Sequence, residues 1–210
     1  MGGVMHDILQ AAAVHLGYTL VSVSIGFALG LCLGILLARF PRQAGYILPV
    51  LSVFNTIPGI VFIGVLFLYL GMRPATVILA LSIYAMFPVL KNTFTGLTAV
   101  DDQYKEAARG CEMSGLERLY QVELPLAMPT IIGGLRMSTV YTVSWAVLAA
   151  MIGQGGLGDF IYQGVSSNNN ALILQGAIPA ALLAFGLGGL VDALQKRVVP
   201  RGLRKGGAGK

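Results

Sequence analysis

From Ile8 to Ala38 the chain carries no Asp, Glu, Lys or Arg. That interval exceeds the roughly 20 apolar residues an α-helix needs to cross a bilayer core. The pattern recurs along the 210 residues, of which 56% are hydrophobic and 11% charged, so an ordinary water-soluble domain, with roughly 25% charged residues, is excluded. The charge-free intervals place about five membrane spans. The first covers residues 14–38 and ends at Arg39, Pro41 and Arg42; the second covers 46–70, with Pro49 and Pro58 as kink or entry points. After a turn at 71–74 comes a third, slightly short span at 75–90, which contains Pro88 and is closed by Lys91. A fourth occupies 138–152, with a start as early as Pro129 allowed, and a polar turn at 153–170 leads to a fifth at 171–191. The apolar run near the start is far longer than a signal-peptide core of roughly 7–15 residues, so it is expected to stay in the protein.

Orientation follows from the basic residues alone. Of the 14 Lys and Arg, only Arg73 falls on one side of the five spans, and the rest fall on the other. The expectation is an all-α membrane protein with its N-terminus outside, its C-terminus cytoplasmic and the loop between Lys91 and Arg136 in the cytoplasm. A single transmembrane domain covers 1–200, and the basic, glycine-rich tail at 201–210 is set outside the fold as disordered. The net charge of +5 sits beside apolar runs rather than on an aromatic-rich basic face, so nucleic acid is not an expected partner, whereas membrane lipid is. Ser22, Gly26, Gly30, Gly34 and Ala38 recur every fourth residue in the first span, as do Gly176, Ala180, Ala184 and Gly188 in the fifth. Small residues at that spacing let helix backbones approach closely in lipid, so both faces should bury against other helices.

Several chemistries find no support. Cys32 and Cys111 have no metal-ligand spacing, and His6 and His15 have no partner set and read as incidental. No acidic residue lies in mid-span for proton or sodium coupling, and no Ser/His pair, HExxH or carboxylate pair lies inside a span for an intramembrane enzyme. The chain has no G-x-x-x-x-G-K run: its glycine–lysine pair, Gly209-Lys210, has Arg204 where the first glycine is needed. Polar and aromatic residues near the spans are the candidates for a substrate path: Asn55 and Thr56 beside Pro58, and Tyr141, Thr142, Ser144 and Trp145 in the fourth span. Trp145 with Tyr141 could attract a quaternary ammonium by cation–π contact; packing aromatics are the competing reading.

The charge-dense stretch holds six of the nine acidic residues: Asp101, Asp102, Glu106, Glu112, Glu117 and Glu123. Asp101 or Asp102 can cap a short helix, with Tyr104, Ala108 and Cys111 along one side. Ser114-Gly115-Leu116-Glu117 fits a capping box that starts a second helix, and Pro125 and Pro129 mark the return to the membrane.

Glu106-Ala107-Ala108, followed at fixed spacing by Val122-Glu123-Leu124-Pro125, resembles the EAA loop of ABC importer permeases, in which EAA is followed by three residues, Gly, nine residues, an aliphatic residue, any residue, Leu and Pro. The family's glycine position is held by Glu112, between Gly110 and Gly115. Further stretches, among them Asn55-Thr56-Ile57-Pro58-Gly59 and Gly153-Gln154-Gly155-Gly156-Leu157-Gly158, look like the permeases that import glycine betaine, carnitine and choline. The resemblance implies a type I importer architecture in a bacterial or archaeal cell (inner) membrane. It implies a loop at about 98–127 that docks a separate ABC ATPase dimer, with Glu106, Ala107, Ala108, Gly110, Glu112, Ser114, Gly115, Leu124 and Pro125 at the contact. It also implies ATP and Mg on that partner and none on this chain, a second permease copy, identical or related, and an external substrate-binding protein. Small side chains at Ala107 and Ala108 would let a helix seat in a cleft. The competing class is a secondary transporter or channel subunit for small polar solutes.

Overall fold

A computed structural model describes residues 2–199; the tail at 201–210, with Arg201, Arg204, Lys205 and Lys210, lies outside the described residues. The described residues form helices joined by short turns: α1 (Gly2–Arg39), α2 (Pro41–Thr56), α3 (Gly59–Leu70), α4 (Pro74–Thr98), α5 (Asp102–Gly110), α6 (Gly115–Arg118), α7 (Leu124–Ala146), α8 (Gly158–Ser166) and α9 (Asn170–Val198). A π-helical turn, Leu119–Glu123, feeds α7, and a 3-10 segment, Val147–Ile152, ends it. Segments Met5–Arg39, Pro74–Thr98, Gly115–Ala150 and Asn170–Val198 are long and apolar enough to span a membrane, and α2 with α3 passes the same test as a bent pair.

The glycine stripe of α1 is a backbone seam. A Cβ at Gly26, Gly30 or Gly34 would come within 2.6 Å of Ala85 Cβ, 2.6 Å of the Met86 carbonyl oxygen and 2.5 Å of Thr93 Cβ, so only hydrogen at these positions lets α1 lie on α4. At one end of the seam the Ser22 hydroxyl donates to the Ile78 carbonyl. Contacts climb both helices together, so α1 and α4 run parallel. The chain between them must therefore recross the membrane, and α2 with α3 is one crossing rather than a re-entrant loop. Neither piece spans alone: at 1.5 Å per residue their 16 and 12 residues reach about 24 and 18 Å, against a core of about 30 Å.

The pair is bent by 90° at Ile57–Pro58. Pro58 forces Ile57 into extended backbone, with ψ 127°. A break at this depth frees carbonyls that lipid cannot satisfy. Tyr84 of α4 answers one of them, its hydroxyl donating to the Ile57 carbonyl at 2.8 Å. Pro49, by contrast, lies inside an unbroken α2.

Helix α7 runs antiparallel to α4, with Gly96 on Ala127, Gly134 on Asn92 and the Ser138 hydroxyl donating to the Ala85 carbonyl at 2.7 Å. Outside it lies α9, also antiparallel, joined by Arg136–Asp192 at 2.8 Å and by Gly188 against Val140. The α9 stripe packs as the sequence predicts: a Cβ at Gly176 would meet the Leu157 carbonyl oxygen at 2.6 Å, and Ala180 and Gly188 are buried.

Three boundaries differ from the sequence reading. Lys91 does not close the third span, because it is exposed on one face while Thr93, Gly96 and Leu97 on the other are buried, and α4 continues to Thr98. The fourth span is helical from Leu124, with Pro125 in the first turn, where a proline's missing N–H is harmless. The stretch 153–170 contains α8, whose Gly158 and Gly164 lie directly on the Val147 carbonyl and on Ile173, so a nine-residue helix packs where hydropathy shows only a turn.

Candidate functional site

At the end where α1 finishes and α7 begins, the polar loop folds into a compact corner. The Asp101 carboxylate accepts from Gln103 N at 3.0 Å and starts α5. Glu106 and Ala107 are exposed, whereas Ala108 is 4% exposed and packs within the chain. Of the predicted stripe Tyr104, Ala108 and Cys111, only Ala108 is buried. The helix ends with Glu112 N donating to Arg109 O at 2.9 Å and Met113 N to Ala108 O at 3.1 Å. This pair of bonds is a Schellman cap, which needs left-handed backbone at its turn residue. Glu112 occupies that position with φ 56°. The glycine of the EAA pattern is thus a conformational requirement here and not a close approach, and Cβ atoms on the flanking Gly110 and Gly115 would meet nothing within 4 Å.

The expected capping box forms. Glu117 N donates to Ser114 Oγ at 3.3 Å, and Ser114 N donates to Glu117 Oε2 at 2.8 Å. Hydrogen bonds from the Ser114 side chain and backbone hold the Glu117 carboxyl below its usual range. The π-helical turn that follows directs Leu119 into a cluster with Leu97, Ala127 and Ile131, against which Leu124 also packs. It also buries Glu123, which is 6% exposed. Its carboxylate accepts from Arg118 Nε at 2.7 Å and faces Arg39 Nη1 at 3.8 Å, while Arg39 Nη2 donates to the Gly115 carbonyl at 3.3 Å. This clamp joins residues as far apart as Arg39 and Glu123 and leaves no pattern in the sequence. Outward from the same corner stand Leu116 and Tyr120, 68% and 67% exposed and one helical turn apart.

The substrate-path candidates divide between two faces. Trp145 stacks on Tyr84 with centroids 4.6 Å apart, Tyr84 meets Phe62 edge-on at 5.3 Å, and the Trp145 ring covers Gly59 so closely that a Cβ there would overlap it. Asn55 lines an apolar cleft of about 300 Å³ together with Phe54, Phe62, Tyr84 and Phe87. Thr56 is exposed and its hydroxyl donates to Val53 O at 2.7 Å. Tyr141 and Ser144 are exposed on α7, with the Ser144 hydroxyl turned back to Val140 O, and Thr142 is buried against Ser138 O. Trp145 therefore contacts the broken second span, and its ring partner is Tyr84.

At the opposite end His15 is fully buried, its Nε2 donating to the Val143 carbonyl at 3.0 Å, and the Tyr18 hydroxyl donates to Gln154 O at 3.1 Å. His15 is thus a structural tie between α1 and α7 rather than an incidental residue. His6 is exposed beside Asp7, at 3.9 Å. Asp159 on α8, whose carboxyl is pushed up by burial, shares with Asp7 an open cleft of about 290 Å³.

Residues 30–203 match the family of binding-protein-dependent transport system inner membrane components. The chain is 38% identical to the carnitine transport permease protein OpuCB of Listeria monocytogenes over 95% of its own length and 92% of that protein's. It is 34% identical to the glycine betaine/carnitine/choline transport system permease protein OpuCB of Bacillus subtilis over 94% and 91% of the two chains. Among solved structures, an inward-facing form of the MetNI methionine ABC transporter superposes with TM-score 0.81 at 20% identity, covering 95% of this chain and all of that one.

Proposed function

This chain belongs to the family of binding-protein-dependent transport system inner membrane components, as a multi-pass membrane permease of the ABC importer class, and we propose that it carries a small quaternary amine such as glycine betaine, carnitine or choline. The relatives' names supply the cargo class. In this reading a separate ATPase pair holds ATP and Mg, an external binding protein selects the substrate, and a second permease, identical or related, completes the passage. This chain performs no hydrolysis, in keeping with its lack of a phosphate-binding G-x-x-x-x-G-K run. One transmembrane domain does the work, with the α5–α6 corner in the cytoplasm and the N-terminus outside, the orientation that the distribution of basic residues favours.

The observation that carries the coupling role is the α5–α6 corner. Its backbone is fixed by a Schellman cap, a capping box and a buried carboxylate, while Leu116 and Tyr120 are left uncovered. A rigid corner that presents an exposed tyrosine beside an exposed leucine suits docking on a protein partner, since a few buried anchors, tyrosines prominent among them, carry most interface energy. Glu106 and Ala107 lie exposed on α5, the other arm of the corner, so the docking face includes them, whereas Ala108, the cap at Glu112 and the box at Ser114 shape that face from within.

The test separates the two alanines. Ala107→Asp places a charge on the docking face and should abolish ATPase co-purification and ATP-dependent uptake at normal permease abundance. Ala108→Asp places it in the chain's own packing and should lower permease abundance as well. If Ala107→Asp kept full ATPase binding and full uptake, the loop would not be the coupling element. Uptake into proteoliposomes without ATP would instead point to a secondary transporter.

A further inference from the structure

Between the end of α1, the end of α4 and the start of the polar corner lies a cleft of about 460 Å³. Its polar wall holds Arg39, Lys105, Arg118 and Glu123, and its apolar wall includes Ala38 and Leu97. Three cations face one carboxylate, which leaves a surplus of two positive charges. Glu123 is already committed to Arg118 at 2.7 Å and to Arg39 at 3.8 Å. Among the described residues Lys105 is paired only with Asp102, whose side chain is 85% exposed, so that ion pair is screened by water and contributes little. The Lys105 and Arg118 side chains are mostly shielded, and the one carboxylate lining the cleft is shared between Arg118 and Arg39, so the cleft attracts a further anion.

We infer that this cleft holds the phosphate of an anionic phospholipid headgroup. Its position selects lipid over a soluble anion. Arg39 and Thr98, the last residues of two membrane spans, line the cleft together with Pro41 at the start of α2, and Phe40 between α1 and α2 is exposed. Beyond it, Tyr46, Ile47 and Val50 of α2 are also exposed, an apolar surface along which acyl chains can lie. A cationic pocket between span ends with an apolar wall matches an amphiphile whose charge is at one end. The cleft lies on the inner side of the docking corner: Lys105, Arg118 and Glu123 line it, whereas the exposed Leu116, Tyr120 and Ala107 do not.

The experiment is native mass spectrometry of the full-length permease released from micelles containing equal amounts of phosphatidylglycerol and phosphatidylcholine. The unmodified chain should retain phosphatidylglycerol in preference. Lys105→Gln, which removes a charge whose partner Asp102 stays in water, should lower that retention about fivefold, and Lys105→Glu further, with phosphatidylcholine retention and thermal stability unchanged. Lys196→Gln, at the end of α9 and outside the cleft, should leave it within about twofold. Equal retention of the two lipids, or an equal loss from Lys196→Gln, would overturn the site. Displacement of the lipid by millimolar inorganic phosphate would make it a soluble-anion site and overturn the lipid assignment.

Discussion

Replacing Glu112 with glycine should tighten the α5–α6 corner. Glu112 sits at φ 56°, and left-handed backbone costs a residue with a Cβ roughly 1–2 kcal/mol. Glycine escapes that cost but gives back roughly 0.5–1 kcal/mol through the greater freedom of the unfolded chain. The Glu112 side chain is exposed, so its removal sacrifices no packing. The carboxylate also stands just past the C-terminus of α5, where negative charge is disfavoured by up to about 1 kcal/mol. Glu112→Ala removes the charge and keeps the Cβ, so the difference between the two variants isolates the backbone, with an expected value of about 0.5–1 kcal/mol. The readout is amide hydrogen exchange at Met113, whose N–H bonds to Ala108 O across the cap. A gain of about 1 kcal/mol slows exchange roughly fivefold, and the effect should be confined to this corner. If Met113 exchanged no more slowly in the glycine variant than in the alanine variant, left-handed strain would not explain the family glycine.

Tyr84→Phe removes the donor to the Ile57 carbonyl at the bend of the second span and should lower stability by about 1–3 kcal/mol in a thermal melt in detergent; an unchanged melt would mean that another group satisfies that carbonyl. Gly30→Leu should prevent α1 from closing on α4 and yield aggregated protein on gel filtration, whereas Gly64→Leu, where a Cβ would meet nothing within 4 Å, should elute normally. The Glu117 carboxyl titrates below its unfolded value of about 4.5, so the capping box stabilises above that pH and its contribution is lost as pH falls through the folded value. Protection of the Glu117 amide, its exchange taken relative to the unfolded-chain rate at the same pH, should therefore fall in acid, and Glu117→Gln should remove that dependence.

Charge spacing made the five crossings legible, because a helix in hydrocarbon tolerates few charges and the turns must carry them. The caps at Asp101 and Ser114 were legible for a similar reason, since each depends on residues two or three positions apart. Lys91 misled because a one-dimensional scan assigns a charge to the whole cross-section, whereas α4 places it on one exposed face and packs the other. Helix α8 was hidden since its burial comes from glycines lying on the neighbouring backbone, not from apolar side chains. His15 and Glu123 were hidden for a different reason. One finds its partner in a backbone carbonyl of α7, and the other is held partly by Arg39 at the far end of α1, so neither pairing leaves a local pattern. Trp145 was singled out in sequence, but its partner Tyr84 was not, because the two meet only once α7 lies along α4.

The seam between α1 and α4 also fixes a timetable. Gly26, Gly30 and Gly34 fit against residues that lie about 60 positions later in the chain, so α1 leaves the ribosome well before its complement exists. At about 5–20 residues per second the wait is roughly 3–12 s. Throughout it the glycine face of α1 is turned to lipid, open to any other helix with small residues at the same spacing. The wait ends only when the bent α2–α3 pair has crossed and α4 has followed it. Substitutions that slow the passage of that pair therefore lengthen the exposure of a surface they never touch.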